Sequence, residues 1–249
     1  MPQAQPAAAR LIERLNVLLG EKNRNPFALS ALKKEAQVLL KTDAFHAYVV
    51  LGMIACLEKN VDEMHKNHLK ALNLYPNDPL ANNNYAASLA NLGFNSEASK
   101  QYRKAYQLEP ANLNVLSGLI DTLTFAGRVH EARKLLINDW KKKSPSSPYK
   151  GEGLVMRLAE FLDKQGISDD ESARIENLAT AYLSAEGLFK IDEGLSLAND
   201  DGAKWIQHII SVGGSVDQVA ELNCGFADRV SKEIPTKVMK SITVLYSAD

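Results

Sequence analysis

Residues 85–105, YAASLANLGFNSEASKQYRKA, decide the fold. Small and apolar residues recur at three- and four-residue intervals on both sides of Gly93, which is typical of two amphipathic helices joined by a tight turn. The pattern returns 34 residues later in residues 119–139, LIDTLTFAGRVHEARKLLIND, and precedes them in residues 51–71, LGMIACLEKNVDEMHKNHLKA. A helical repeat is therefore the main feature of the sequence.

The three windows carry similar residues at equivalent positions. The matches are Leu51, Tyr85 and Leu119; Gly52, Ala86 and Ile120; Ala71 and Ala105; Pro76 and Pro110; Gly93 and Gly127; and Ala98 and Ala132. Small residues let the two helices of a pair approach closely, while larger residues fill the layer between pairs. The spacing thus predicts a stack of helical hairpins.

Residues 45–138 resemble the tetratricopeptide repeat, which has the same period. The resemblance implies a mainly α fold, an α-solenoid of helical hairpins. The chain departs from the family pattern at Met64, where alanine is usual, and at His68, where an aromatic residue is usual. Asp139 replaces an alanine where regular repetition ends. Upstream, residues 7–41 predict a divergent helix pair that serves as a first repeat.

A different pattern follows the repeats. Residues 141–153, KKKSPSSPYKGEG, have the composition of a linker. Residues 154–165 and 169–187 predict two helices, the second capped by Ser168. Strands are predicted at 188–197, 205–212 and 237–246, and a helix opened by a capping box at Ser215 is predicted at 215–232. The sequence thus predicts a repeat domain at 1–140, a linker at 141–153, and a small α+β domain at 154–249, in which we recognise no family.

The composition limits the class of protein. The chain has a formal net charge of −1 and 45% hydrophobic residues, so it offers no overall attraction to nucleic acid or to an anionic membrane. It has two cysteines and no apolar stretch that could span a bilayer, and its N-terminal residues lack the pattern of a secretory signal. We therefore expect a soluble, cytoplasmic protein.

The resemblance implies a concave groove lined by the first helix of each pair. Carried over to this sequence, the groove residues are His46, Val49, Met53, Asn83, Ala87, Asn91, Asn114, Ser117 and Asp121. This mixture of small and polar residues is suited to an extended or helical peptide, whose backbone the asparagines could bond. The alternative interpretation is that these residues form solvated helix faces.

Two further clusters have a functional and a structural interpretation. His65 and His68 could ligate a metal at their i, i+3 spacing, or form a packed histidine beside a surface one. The run Gly213-Gly214-Ser215 could bind an anion at a helix N-terminus, or be an ordinary capped turn. We expect the structural interpretation at both places, and therefore neither a metal nor a cofactor.

The sequence shows no catalytic motif, and we expect that the protein is not an enzyme. The predicted function is a non-catalytic adaptor that binds a partner protein or peptide, with possible oligomerisation through the C-terminal domain. One alternative is a component of a nucleic-acid-handling complex, which would use the basic cluster Arg128, His130, Arg133, Lys134 and Lys141–Lys143. Another is a regulatory protein whose C-terminal unit binds a ligand or a second partner.

Overall fold

The computed structural model describes residues 7–19 and 26–248. Parts of the predicted domains, residues 1–6, 20–25 and 249, lie outside them. The helices are α1 (Ala7–Leu19), α2 (Pro26–Leu39), α3 (Ala44–Leu57), α4 (Val61–Leu74), α5 (Pro79–Asn91), α6 (Asn95–Leu108), α7 (Leu113–Phe125), α8 (Val129–Leu135), α9 (Lys141–Lys143), α10 (Glu152–Gln165), α11 (Asp169–Ala185), α12 (Val216–Glu233) and α13 (Thr236–Ser241). The strands are β1 (Lys190–Asp200), β2 (Ala203–Val212) and β3 (Ile242–Ala248). The predicted class, mainly α with a small C-terminal sheet, is confirmed.

Helices α3 to α8 form three consecutive hairpins, each with a short turn between its two helices. The first helix of each hairpin begins at a side-chain cap. Asp43, Asp78 and Asn112 accept backbone N–H groups at the starts of α3, α5 and α7, and Pro79 follows its cap at the first helical position. Gly93 and Gly127 lie in the turns with positive φ angles of 89° and 74°, a conformation that favours glycine. These local signals explain where the helices begin and end.

Small residues bring neighbouring helices close together, as the repeat spacing predicts. A Cβ atom added at Gly52 would lie 2.7 Å from the ring of His68, and one added at Gly118 would lie 2.5 Å from the ring of Tyr102. The aromatic rings therefore occupy the space that a side chain would need. Successive hairpins bury apolar residues in three clusters, the first of which includes α1 and α2 and the last of which includes α7 and α8.

The stretch predicted as a linker is helical at both ends. After α8 the chain makes a π-helical turn, Leu136–Trp140, continues into α9, and enters α10 at Glu152. Tyr149, between α9 and α10, is buried against the ring of Trp140. Lys141 of α9 pairs with Glu152 of α10 at 2.7 Å. The segment packs against the hairpins because its aromatic residue enters their core, which the Ser/Pro/Gly composition did not indicate.

The C-terminal unit contains a three-stranded sheet of order β1-β2-β3. Strands β1 and β2 pair antiparallel, and β3 pairs parallel to β2 after the crossover helix α12. The predicted capping box of α12 is present, with Ser215 and Gln218 as its two residues. The strands predicted at 188–197 and 205–212 correspond to β1 and β2.

The strand predicted at 237–246 is wrong in its first half. Residues 236–241 form α13, and β3 starts only at Ile242. Pro235 has a φ angle of −59°, which suits the residue before a helical turn, and Val238 is fully buried on that turn. The apolar spacing from Val238 to Ile242 therefore belongs to a helix of four-residue period and not to an alternating strand.

An asparagine side chain protects the outer edge of β3. Asn223 of α12 accepts from the Tyr246 N–H at 2.9 Å and donates to the Tyr246 C=O at 2.8 Å. It therefore bonds both outward backbone groups of this residue, as a further strand would.

The cores of the hairpins and of the C-terminal unit are joined. Val129 of α8 belongs to the same buried cluster as Leu158, Ile175, Ile210 and Phe226 of the C-terminal unit. Within the described ranges, no helix combines the length and apolar character needed to cross a membrane.

Candidate functional site

The structure divides the predicted groove residues into buried and accessible ones. Val49 is fully buried and Met53 is 5% exposed, both packed in the core of the first hairpins. These two residues are therefore not available to a partner, which corrects the predicted groove. His46 is partly exposed, and its Nδ1 lies 2.7 Å from Asp43, the N-cap of its own helix.

The accessible part of the predicted groove is a stripe on α5. Asn83 and Ala87 are partly exposed and Asn91 is exposed, at four-residue intervals along one face of the helix. Among the described residues, the side chains of Asn83 and Asn91 make no hydrogen bond, whereas the neighbouring Asn84 donates to the Leu80 C=O of its own helix at 2.8 Å. Two unpaired carboxamides thus flank a small residue.

Helix α7 contributes one further unpaired carboxamide. Asn114 is exposed, and its side chain also has no hydrogen-bond partner within the described part of the chain. Toward the other end of α7, Asp121 accepts hydrogen bonds from Ser117 and from Tyr149. Burial raises the pKa of Asp121, although these two hydrogen bonds oppose the change. The loop that carries Tyr149 therefore contacts the Asp121 end of the predicted groove, where Asp121 itself is exposed.

The two candidate metal ligands have ordinary partners. His68 is 1% exposed, stacks on Tyr85 with a centroid distance of 4.9 Å, and has Nε2 3.0 Å from the Ser88 hydroxyl. His65 Nδ1 lies 2.6 Å from the Tyr85 hydroxyl. Burial lowers the pKa of His68 to about 3, so the ring is neutral. Among residues 7–19 and 26–248, no group of three or more potential ligands could hold a metal ion.

The basic cluster is largely neutralised by acidic side chains. Arg128 pairs with Asp170 at 3.0 Å and Arg133 with Asp163 at 2.6 Å. His130 lies between Asp163 and Asp169, at 3.1 and 2.7 Å. Lysines 141 and 143 also have acidic partners, Glu152 and Asp139. Five of the seven cluster residues thus have acidic partners, and among the described residues only Lys134 and Lys142 are left for phosphate groups.

The turn Gly213-Gly214-Ser215 is closed by its own cap. Ser215 Oγ accepts from the Gln218 N–H, and Gln218 Oε1 accepts from the Ser215 N–H. The carboxylates of Glu186 and Glu221 line the neighbouring pocket. Negative charge at this position opposes the binding of an anion.

The C-terminal unit docks on the turns of two hairpins through polar contacts. Asp169 at the start of α11 accepts the backbone N–H groups of His130 and Glu131 at 2.9 and 3.0 Å. It thereby caps α8, whose own preceding residue Arg128 makes no side-chain cap. Ser172 also donates to the Gly127 C=O. At the turn of the preceding hairpin, Thr180 Oγ1 donates to the Gly93 C=O.

A testable prediction follows for the capping carboxylate. Asp169→Ala removes the acceptor for two N–H groups, and we expect a loss of about 1–2 kcal/mol in the free energy of unfolding, the usual value of such a cap. Urea denaturation at neutral pH measures it. Asp170→Ala is the matched control, because the adjacent Asp170 side chain is 86% exposed. Equal losses in the two variants would contradict the cap.

The central contact between the two parts of the chain is a buried ionic cluster. It consists of His208 on β2, Lys190 and Glu193 on β1, and Glu176 on α11. The exposed fraction of each side chain is small: 2% for His208, 11% for Lys190, 10% for Glu193 and 7% for Glu176. His208 Nδ1 lies 2.7 Å from Glu176 Oε2, and His208 Nε2 lies 3.3 Å from Glu193 Oε2, an ion-pair distance without good hydrogen-bond geometry.

The repeat side completes this cluster. Lys190 Nζ pairs with Glu193 and donates to the Ala90 C=O at 2.7 Å, and Asn95 donates to Glu193 at 3.1 Å. One network therefore includes the Ala90 C=O and the Asn95 side chain from the hairpin and the charged side chains from the sheet. The cluster joins the end of α5 and the start of α6 to the sheet.

The charges in the cluster balance. Burial alone would lower the pKa of His208, but the carboxylates of Glu176 and Glu193 outweigh it and raise the pKa to about 9. Burial alone would raise the pKa of Glu193, but His208 and Lys190 outweigh it and lower the pKa. Two cations thus face two anions at neutral pH. The adjoining cavity of about 20 Å³ has room for about one water molecule, and the cluster's contacts join the two parts of the chain.

Sequence reasoning missed this cluster. Glu176 and His208 are 32 residues apart, and Asn95 and Glu193 are 98 apart, so no local spacing connects them. One signal was present. His208 occupies a core-facing position in β2, between Ile206 and Ile210, where an alternating strand would otherwise have an apolar residue.

No protein-family model matches the chain, and no curated protein shows significant similarity to it.

Proposed function

We propose that the protein is a non-catalytic adaptor of the tetratricopeptide type, which binds a peptide segment of a partner protein along α5 and the start of α7. The observation that carries the proposal is the set of accessible carboxamides at Asn83, Asn91 and Asn114, which make no hydrogen bond to any residue that the structure describes. Each carboxamide can donate and accept a hydrogen bond, which matches the alternating C=O and N–H groups of a peptide backbone.

The dimensions of the stripe support a peptide ligand. Residues four apart on a helix are separated by about 6 Å along its axis, so Asn83 and Asn91 are about 12 Å apart in this direction. An extended peptide rises roughly 3.3 Å per residue, so three to four residues would span the two asparagines. Ala87 between them leaves room for the backbone to approach the helix.

The surroundings of the stripe favour protein over nucleic acid. The stripe itself carries no charge, and the basic cluster is held by carboxylates in ion pairs. Binding to nucleic acid requires cations that are available to phosphate groups. The polar, uncharged stripe instead supports recognition of a peptide through its backbone.

The experiment is affinity purification of the tagged protein from its own cells at moderate and high salt, followed by cross-linking mass spectrometry. We expect a protein partner that survives high salt, cross-links near α5, and falls about tenfold or more in recovery with Asn83→Ala/Asn91→Ala. Asn84→Ala is the matched control, since this carboxamide bonds its own helix. Recovery that is unchanged in the double variant, or reduced equally in the control, overturns the proposal.

A further inference from the structure

The outer face of the α1–α2 hairpin, the face turned away from α3, carries exposed apolar residues. Val17 on α1 is 60% exposed, and Val38 on α2 is 69% exposed. The opposite side of the same hairpin is packed on α3 through Leu11, Leu15 and Leu32 and related residues. The described part of the chain leaves these exposed side chains largely uncovered.

A groove runs between the two helices on this face. It measures about 540 Å³ and is lined by Leu11, Val38 and Leu39 at its base and by Arg10, Arg14, Glu35, Lys41 and Thr42 at its rim. Arg14 forms a two-pronged ion pair with Glu35, at 2.7 and 3.0 Å. Within the described residues, Arg10 and Lys41 have no ion-pair partner. The rim therefore has an excess of positive charge.

We propose that this groove binds an amphipathic helix of a partner protein that has aliphatic residues on one face and acidic residues beside them. The aliphatic residues would cover Val38 and the base of the groove, and the acidic residues would pair with Arg10 and Lys41. This surface is separate from the α5 stripe, so the two proposals can fail independently.

The charge of the rim argues for an acidic partner over two other occupants. A second copy of this chain, docked by the same face, would bring a rim with the same excess of positive charge against that of the first copy, and like charges repel. Residues 1–6, MPQAQP, contain no acidic residue that could pair with the rim. An acidic helix satisfies both the apolar base and the basic rim.

The test uses two synthetic peptides with a fluorescent label. Each is about 18 residues long, or roughly 27 Å as a helix, with leucines on one face. In the first peptide glutamates flank the leucines. In the second peptide lysines replace the glutamates, and the leucines are kept. Measured by fluorescence anisotropy with the full-length protein, the acidic peptide is expected to bind at least about tenfold more tightly, and its binding should weaken as salt is added.

Two variants separate the groove from unspecific attraction. Val38→Asp should weaken the acidic peptide about tenfold, whereas Val216→Asp, at an exposed valine on α12, should not. Arg10→Glu/Lys41→Glu should reverse the preference in favour of the lysine peptide. The proposal is overturned if neither peptide binds, if both bind equally, if Val38→Asp and Val216→Asp behave alike, or if the charge reversal leaves the preference unchanged.

Discussion

Gly127→Ala is expected to destabilise the protein by roughly 2–5 kcal/mol. Gly127 has a φ angle of 74°, and placing a Cβ in this left-handed conformation costs about 1–2 kcal/mol. The Cβ would also lie 2.7 Å from the backbone carbonyl carbon of Ser172, where α11 docks on the turn between α7 and α8. A backbone cannot yield as a flexible side chain can, so this overpacking adds about 1–3 kcal/mol.

Chemical denaturation of the wild type and the variant measures this loss. Hydrogen exchange should also become faster at the backbone amides of His130 and Glu131, because the displaced α11 no longer presents Asp169 to them. Gly202→Ala is the matched control. Its φ angle of 84° carries the same conformational cost, but no atom lies within 4 Å of the added Cβ. Losses of the same size in both variants would show that the contact with α11 is not tight.

His208→Gln is expected to lower the free energy of unfolding at pH 7 by about 3 kcal/mol. The substitution removes the cation between two buried carboxylates and leaves Glu176 and Glu193 without their shared partner. Breaking a buried ion pair from one side typically costs about 3–5 kcal/mol. Exposed ion pairs contribute little to stability. Lys164→Gln, which removes the surface pair with Glu160 on α10, should therefore leave the free energy of unfolding nearly unchanged.

The pH dependence of stability gives a second readout for His208. Its pKa is about 9 in the folded protein and 6.5 for an ordinary histidine, so the folded state holds the proton more tightly. The stabilisation is complete below pH 6.5 and is lost as the pH rises through about 9. The wild type should therefore lose about 3 kcal/mol more than His208→Gln between these values. Parallel stability curves for the two proteins would show that another group is responsible.

Repeat spacing predicted the helical part of the fold well, because its signals are local. The period of 34 residues located the helices from α3 to α8. The N-cap at Ser168 and the capping box at Ser215 marked the starts of α11 and α12. Helix caps and apolar helix faces depend on residues three or four apart, and the same face pattern returns in each hairpin. The assignment to the tetratricopeptide family remains a prediction.

Contacts between distant parts of the chain were beyond the sequence patterns. The predicted groove included Val49 and Met53, which are buried because α1, α2 and α5 pack against α3. The basic cluster gave no sign of its partners, since Asp163 and Asp169 lie 30 to 39 residues further along the chain. The composition of residues 141–153 concealed Tyr149, whose burial depends on α7.

The cap that Asp169 provides to α8 has a consequence for protein synthesis. The ribosome releases α8 about 40 residues before the carboxylate that completes its first turn. During that interval the α7–α8 hairpin lacks the side-chain cap of α8, and its apolar Val129 lacks its later neighbours. We expect nascent chains arrested before α11 to bind chaperones at this hairpin and to release them once α11 has emerged.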